Sequence, residues 1–165
     1  MSYVAVFDVD GVIANVSKRI EKCLNEIGVG SIENIPRSKR KIFWNIFLSK
    51  KYMHLDEPNY EIINYMRELK SKGIKIIIIT GRRKDTQGDY TLRQLNEWNV
   101  PYDEIYFRRK NDFRPDSIFK ASIIKWLLKR GYKIIEVWDD SPNVIEKLRK
   151  LIPNTKLIHY NIQAK

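Results

Sequence analysis

An apolar run, Tyr3-Val4-Ala5-Val6-Phe7, ends in Asp8-Val9-Asp10-Gly11-Val12. This junction constrains the fold more than any other segment. A run rich in β-branched and aromatic residues reads as a buried strand. Desolvating a carboxylate is costly, so two acids at the end of such a strand call for a reason. They stand two apart and leave the strand on the same side, before Gly11 lets the chain turn. Two convergent oxygens there can hold a hard cation and attack an electrophile. A strand followed by a plain acidic turn uses the same residues.

The rest of the chain alternates short apolar runs with helical stripes. Strands are expected at 3–8, 74–79, 104–107, 133–138 and 156–160. Helices are expected between them, at 17–28, 59–72, 88–98, 118–130 and 142–151. Ile20, Leu24 and Ile27 share one helical face, as do Ile62, Met66 and Leu69. Gly73 suits a helix stop, and Pro142 suits a first turn. Strands alternating with helices imply an α/β domain: a parallel sheet of about five strands with helices on both faces. No repeat, low-complexity segment or linker divides residues 1–165, so one domain is expected.

Composition narrows the class. Apolar residues make up 43% of the chain and aromatics 12%, which is globular rather than disordered. No apolar run approaches the ~20 residues of a membrane span. No basic leader precedes an apolar segment, so a cytoplasmic rather than secreted protein is expected. Cys23 is the sole cysteine and reads as a small core residue. His54 and His159 stand alone, without zinc-ligand spacing. The net charge of +11 favours a polyanionic partner or an anionic substrate.

Residues 29–57 are less regular and read as a small cap-like insertion after the first strand, with one short helix. Pro36-Arg37-Ser38-Lys39-Arg40-Lys41 precedes Phe43, Trp44 and Phe47, and Lys50-Lys51-Tyr52 follows. No acid occurs from Asn34 to Leu55. Cations mixed with aromatics can track a phosphate backbone and stack bases. The same aromatics, at helical spacing, can instead pack inward.

Four signals fall at the carboxyl ends of expected strands, where open α/β sheets bind ligands. The first is Asp8 with Asp10. The second is Thr80-Gly81-Arg82: a hydroxyl, an adaptable backbone and a guanidinium fork, all suited to phosphate. The third is Lys120, and the fourth is Asp139-Asp140. Competing motifs fail on spacing. Read as an EF-hand loop from Asp8, Gly11 falls at position four and Arg19 at position twelve, where Gly at six and an acid at twelve are needed. Neither a G-x-x-x-x-G-K-[ST] loop nor a G-x-G-x-x-G turn is present.

These four segments resemble the motifs of the haloacid dehalogenase (HAD) superfamily, Mg²⁺-dependent phosphotransferases with a Rossmann-like sheet. A narrower resemblance lies in Arg19, Arg82-Arg83, Pro101 to Arg108, Asp112-Phe113-Arg114-Pro115-Asp116 and Lys120. These are similar to the 3′-phosphatase domain of polynucleotide kinase-phosphatases. The kinase half of such enzymes finds no counterpart here, so 5′-kinase activity is not expected.

The resemblance implies a division of labour. Asp8 would be the nucleophile, and Asp10 the general acid and base. Thr80 and Gly81 would hold phosphate oxygens, and Lys120 would neutralise the transferred group. Arg19, Arg82 and Asp116 would serve the substrate. Mg²⁺ would be held by Asp8, Asp10 and Asp140, with Asp139 behind or exchanged with Asp140. The substrate would be a phosphorylated DNA or RNA end. A 5′(3′)-nucleotidase acting on mononucleotides, and a non-catalytic nucleic-acid-binding module, are the competing expectations.

Overall fold

The computed structural model describes residues 2–164. Its elements in chain order are β1 (Tyr3–Phe7), β2 (Ala14–Asn15), α1 (Ser17–Ile27), α2 (Arg37–Phe47), β3 (Glu57–Pro58) and α3 (Tyr60–Ser71). There follow β4 (Lys75–Arg83), α4 (Lys84–Glu97), β5 (Glu104–Arg108), α5 (Asp116–Lys129), β6 (Lys133–Asp139), α6 (Pro142–Leu151) and β7 (Lys156–His159). Five of the strands form one parallel sheet in the order β5-β4-β1-β6-β7. This is the expected Rossmann-like architecture.

β1 occupies the centre because both of its faces are apolar. Val4 and Val6 meet Ile77, Ile79 and Val137 beneath Phe119, Ile124 and Leu127 of α5 and Val144 and Leu148 of α6. Ala5 and Phe7 point the other way, toward Ile76 and Ile78 under α1, α3 and α4. The period-two alternation of one strand thus serves two cores.

Two departures from the sequence reading bear on the site. β4 does not end at Ile79; it runs on through Thr80-Gly81-Arg82 to Arg83, which pairs with Arg108 across a register irregularity. Glycine, usually a break, is here a position of close approach inside a strand. In addition, β2 and β3 pair antiparallel, Ala14 opposite Pro58 and Asn15 opposite Glu57. This small ribbon closes the insertion onto the loop that follows β1.

Within the insertion, α2 divides its aromatics. Phe43 and Phe47 are buried and stacked, their ring centroids 5.9 Å apart, while Trp44 remains 48% exposed. Packing therefore claims two of the three rings. Lys39 Nζ donates to the Ile27 carbonyl at 2.8 Å, at the carboxyl end of α1. Among the described residues, no helix is long and apolar enough to cross a membrane.

Candidate active site

The order of connections along the sheet reverses beside β1, and the crevice at that point is where such sheets place ligands. Asp8 sits at its floor. The Asp8 amide stays tied to β6, donating to the Trp138 carbonyl at 3.0 Å. Its carboxylate Oδ1 accepts from the Val9 amide at 2.8 Å and lies 3.1 Å from Lys120 Nζ. Lys120, in the second turn of α5, pairs with Asp8 and donates to Asp139 Oδ2 at 2.7 Å. The other oxygen of Asp139 accepts from the Ser141 amide at 2.9 Å, and the Ser141 hydroxyl caps α6. Both oxygens of Asp139 are thereby engaged.

Asp8, Asp139 and Asp140 each offer an oxygen, all within 4.8 Å of one another. Lys120 is the single cation among them. Burial, then the charge of Asp139, lifts the Asp8 carboxyl well above the usual range, and Lys120 offsets only part of this. Burial likewise pushes Asp140 up to about 6. Burial opposes the charge on Lys120, yet Asp139 and Asp8 hold its ammonium well above the ordinary lysine value. Three crowded carboxylates with one ammonium leave a deficit of positive charge. An all-oxygen donor set with that deficit fits Mg²⁺. Gly11 lets Asp140 approach this closely. With φ +86° it occupies the left-handed region, and a Cβ there would lie 2.7 Å from Asp140 Oδ2.

Asp10 stands beside this cluster on a buried frame. Its Oδ1 accepts from Arg82 Nε at 3.0 Å, Arg82 Nη2 at 2.7 Å and Arg19 Nη2 at 2.8 Å. Both arginine side chains are fully buried. Behind them, Asp56 accepts from Arg82 Nη2 at 2.9 Å and lies 3.0 Å from Arg19 Nε, an ion pair outside hydrogen-bond geometry. Arg82 Nη1 is held by Thr91 and Gln94, and the Arg19 guanidinium covers the Phe47 ring. Burial alone would raise the Asp10 carboxyl, but Arg82 and Arg19 outweigh it and hold it down to about 2. Burial wins at Asp56, whose carboxyl is raised despite the same two arginines.

The remaining expected residues are Thr80, Gly81 and Asp116. Thr80 is fully buried at the edge of the cluster, its hydroxyl accepting from the Arg82 amide at 3.1 Å. Gly81 faces Asp116: a Cβ on Gly81 would lie 2.7 Å from Asp116 Oδ1. Asp116 opens α5 and pairs with Arg108 rather than with Lys120 or Arg82. Arg19 and Arg82 thus face Asp10 from behind, and Asp8, Asp139, Asp140 and Lys120 form a contiguous set.

Asp56 escaped the sequence reading, as did Thr91 and Gln94. The only signal for Asp56 was its position as the first acid after the acid-free stretch from Asn34 to Leu55. Thr91 and Gln94 carry no local mark, since polar residues on a helix usually meet solvent.

A Rossmann-like sheet with Asp8, Asp10, Thr80, Lys120 and Asp140 gathered at the end of its central strand defines a phosphatase of the HAD superfamily. The family described as polynucleotide kinase PNKP phosphatase domain matches residues 37–158. The chain therefore belongs to that family. The matched span takes in Thr80, Lys120 and Asp139-Asp140 and leaves Asp8 and Asp10 outside it. No curated protein sequence matches the chain significantly.

Several solved structures share the fold. Pnkp1 in the Pnkp1/Rnl/Hen1 complex superposes with a TM-score of 0.70 at 19% identity, over 98% of this chain and 46% of that one. The chain thus spans less than half the length of that relative. A haloacid dehalogenase-like hydrolase from Streptococcus pneumoniae gives 0.66 at 17% identity, covering 91% of this chain and 80% of its own. The class C acid phosphatase of Bacillus anthracis, with tungstate bound, gives 0.62 at 15%, covering 97% and 66%.

Proposed function

We propose that the protein is a Mg²⁺-dependent phosphomonoesterase that works through an aspartyl-phosphate, an acyl phosphate on Asp8, and removes 3′-phosphates from DNA or RNA ends. The observation that carries this reading is the Asp8 carboxylate, buried at the end of β1 and 3.1 Å from Lys120, with Asp139 and Asp140 alongside.

Asp8 attacks phosphorus, and the bond from phosphorus to the sugar oxygen breaks. Lys120 and Thr80 stabilise the charge that spreads over the transferred group, with the Gly81 amide beside them. The leaving oxygen takes a proton from Asp10. Asp10 then accepts a proton from the water that attacks the aspartyl-phosphate, releasing phosphate and restoring Asp8. Arg19 and Arg82 keep Asp10 ionised for the second step. An arriving phosphate dianion works against them and raises its proton affinity for the first.

Mg²⁺ would be held by Asp8, Asp140 and the Asp10 backbone carbonyl, and when bound it offsets the repulsion between a carboxylate and a phosphate dianion. Asp139 has both oxygens engaged and serves to hold Lys120. The roles of Arg19 and Arg82 are to aim Asp10, through Oδ1, rather than to touch substrate. Asp116 belongs to the frame beside Gly81.

The likeness to Pnkp1, solved in an RNA repair complex, the family match and the net charge of +11 support a nucleic-acid end over a small phosphate ester. Phosphate release from a 3′-phosphorylated oligonucleotide, its 5′-phosphorylated twin, and 3′- and 5′-mononucleotides tests the reading. The 3′-end is expected to be the best substrate. Equal rates at both ends would refute it, and a preference for mononucleotides would point to a 5′(3′)-nucleotidase.

A further inference from the structure

Phe113 is the most exposed large hydrophobic residue described, at 86%, against 53% for the next. It stands on the loop between β5 and α5 and packs against neither core. Exposing a phenyl ring to water is unfavourable, and a floppy loop could fold it away. This loop is instead built to present it.

Arg108, at the end of β5, is the hub. Its Nη1 donates to the Asp112 carbonyl at 3.0 Å and the Arg114 carbonyl at 2.8 Å, the two residues flanking Phe113. Its Nη2 pairs with Asp116, and its guanidinium covers the buried Phe119 ring at 4.9 Å. Asp112 in turn pairs with Arg114 at 2.6 Å. The backbone on both sides of Phe113 is therefore pinned, while the ring is not covered. Arg108 is a cation at the end of β5, yet its side chain is used inside the loop.

The loop also runs back to Gly81, on the strand beside Asp8. Three residues of chain reach at most about 10–11 Å, and they join Phe113 to Asp116, whose carboxylate crowds Gly81. Arg109 and Lys110, just before the ring, are exposed and make no ion pair among the described residues. An uncovered aromatic ring with unpaired cations beside it has the chemistry of a nucleobase platform next to a phosphate chain. A protein partner would also cover a ring, but the unpaired cations and the phosphate-binding residues on β4 favour a nucleotide.

We infer that Phe113 stacks on the base of the terminal nucleotide whose phosphate enters the Asp8 site, and that Arg109 and Lys110 attend the neighbouring phosphates. This rests on the proposed function and specifies how that site selects a nucleotide end.

The test compares a 3′-phosphorylated oligonucleotide with one whose terminal residue is abasic, alongside the 5′-phosphorylated twin. The readout is the ratio of KM values for the abasic and base-bearing 3′ ends. In the wild type, the base-bearing end is expected to have the lower KM by about tenfold, within the range for one base on one aromatic ring. Phe113→Ala is expected to bring that ratio close to one, and Phe113→Trp to keep it. A ratio near one in the wild type, or a ratio untouched by Phe113→Ala, overturns the stacking role and leaves a protein partner as the ring's occupant. A 3′ over 5′ preference would stand in that case, so the proposed function would survive. Release without end preference would refute the 3′ reading while the base ratio still decides the case of Phe113. Release from neither end would overturn both.

Discussion

Arg82 reaches a single oxygen of Asp10 twice, through Nε at 3.0 Å and Nη2 at 2.7 Å. Arg19 reaches the same atom, and Asp56 stands behind both arginines. A carboxylate gripped on one oxygen keeps a fixed rotamer, and its second oxygen is left out of the grip. The two arginines that sequence motifs suggest for phosphate both hold Asp10 in the folded chain.

That arrangement makes Asp56 a sensitive position. Asp56→Asn leaves two buried guanidiniums sharing one carboxylate. Loss of one partner from a buried charge network costs on the order of 3 kcal/mol, so a drop of that size is expected in urea unfolding. Turnover is expected to fall through kcat, and KM to change little, because Asp10 is misaimed while Thr80 and Lys120, the proposed phosphate contacts, stay in place.

Arg19→Gln tests the electrostatic half of the same idea. Asp10 is held down to about 2 from an ordinary value of 3.8. Its ion pairs therefore stabilise the fold above the ordinary value and are lost as pH falls through about 2. Removing one arginine raises the folded carboxyl's pKa. Thermal unfolding followed between pH 2 and pH 5 is expected to show the variant losing stability at a higher pH than the wild type.

Asp140 has the opposite sign. Burial raises it to about 6, so the favourable contribution of its protonated form is complete below the ordinary value and lost as pH rises through about 6. The metal-free protein is expected to lose on the order of 1–3 kcal/mol across that window. Mg²⁺ added at pH 7 is expected to restore it by binding the folded state. In Asp140→Asn both the pH slope and the Mg²⁺ effect should shrink, as read from unfolding midpoints with and without the metal.

Gly11→Ala meets two obstacles at once, a left-handed backbone and Asp140 Oδ2 2.7 Å from the new methyl. The backbone cost is about 1–2 kcal/mol. Relief of the clash must move Asp140, so weaker Mg²⁺ affinity is expected alongside lower stability. Titration of activity against Mg²⁺ is expected to show a raised half-saturation point.

Much of this site was legible in the sequence because its residues follow apolar strands directly. Asp8 follows β1, Thr80 continues the isoleucine run of β4, and Asp139 ends β6 with Asp140 directly after it. Local alternation and the ends of those runs suffice to find them. The position of the frame behind Asp10 was not legible. Asp56 reaches the arginines only because β2 and β3 zip together across the insertion, a pairing of two residues on each side that leaves no periodic trace. Glu136 was hidden for a similar reason. It is buried inside β6, where Tyr65 and Trp138 donate to it at 2.6 and 3.0 Å, and only the third dimension brings Tyr65 there. The full length of β4 was obscured because its apolar run stops at Ile79, before Thr80-Gly81.

Asp8 is the residue proposed to carry the phosphate. The most direct measurement is rapid acid quenching during turnover of a 3′-end bearing radiolabelled phosphate, followed by peptide mapping. Label is expected on the peptide containing Asp8, and in Asp8→Asn no label is expected, with turnover reduced to less than about a hundredth, since the proposed nucleophile is lost. Label on another residue, or an Asp8→Asn protein that keeps a larger share of the wild-type rate, would contradict that role.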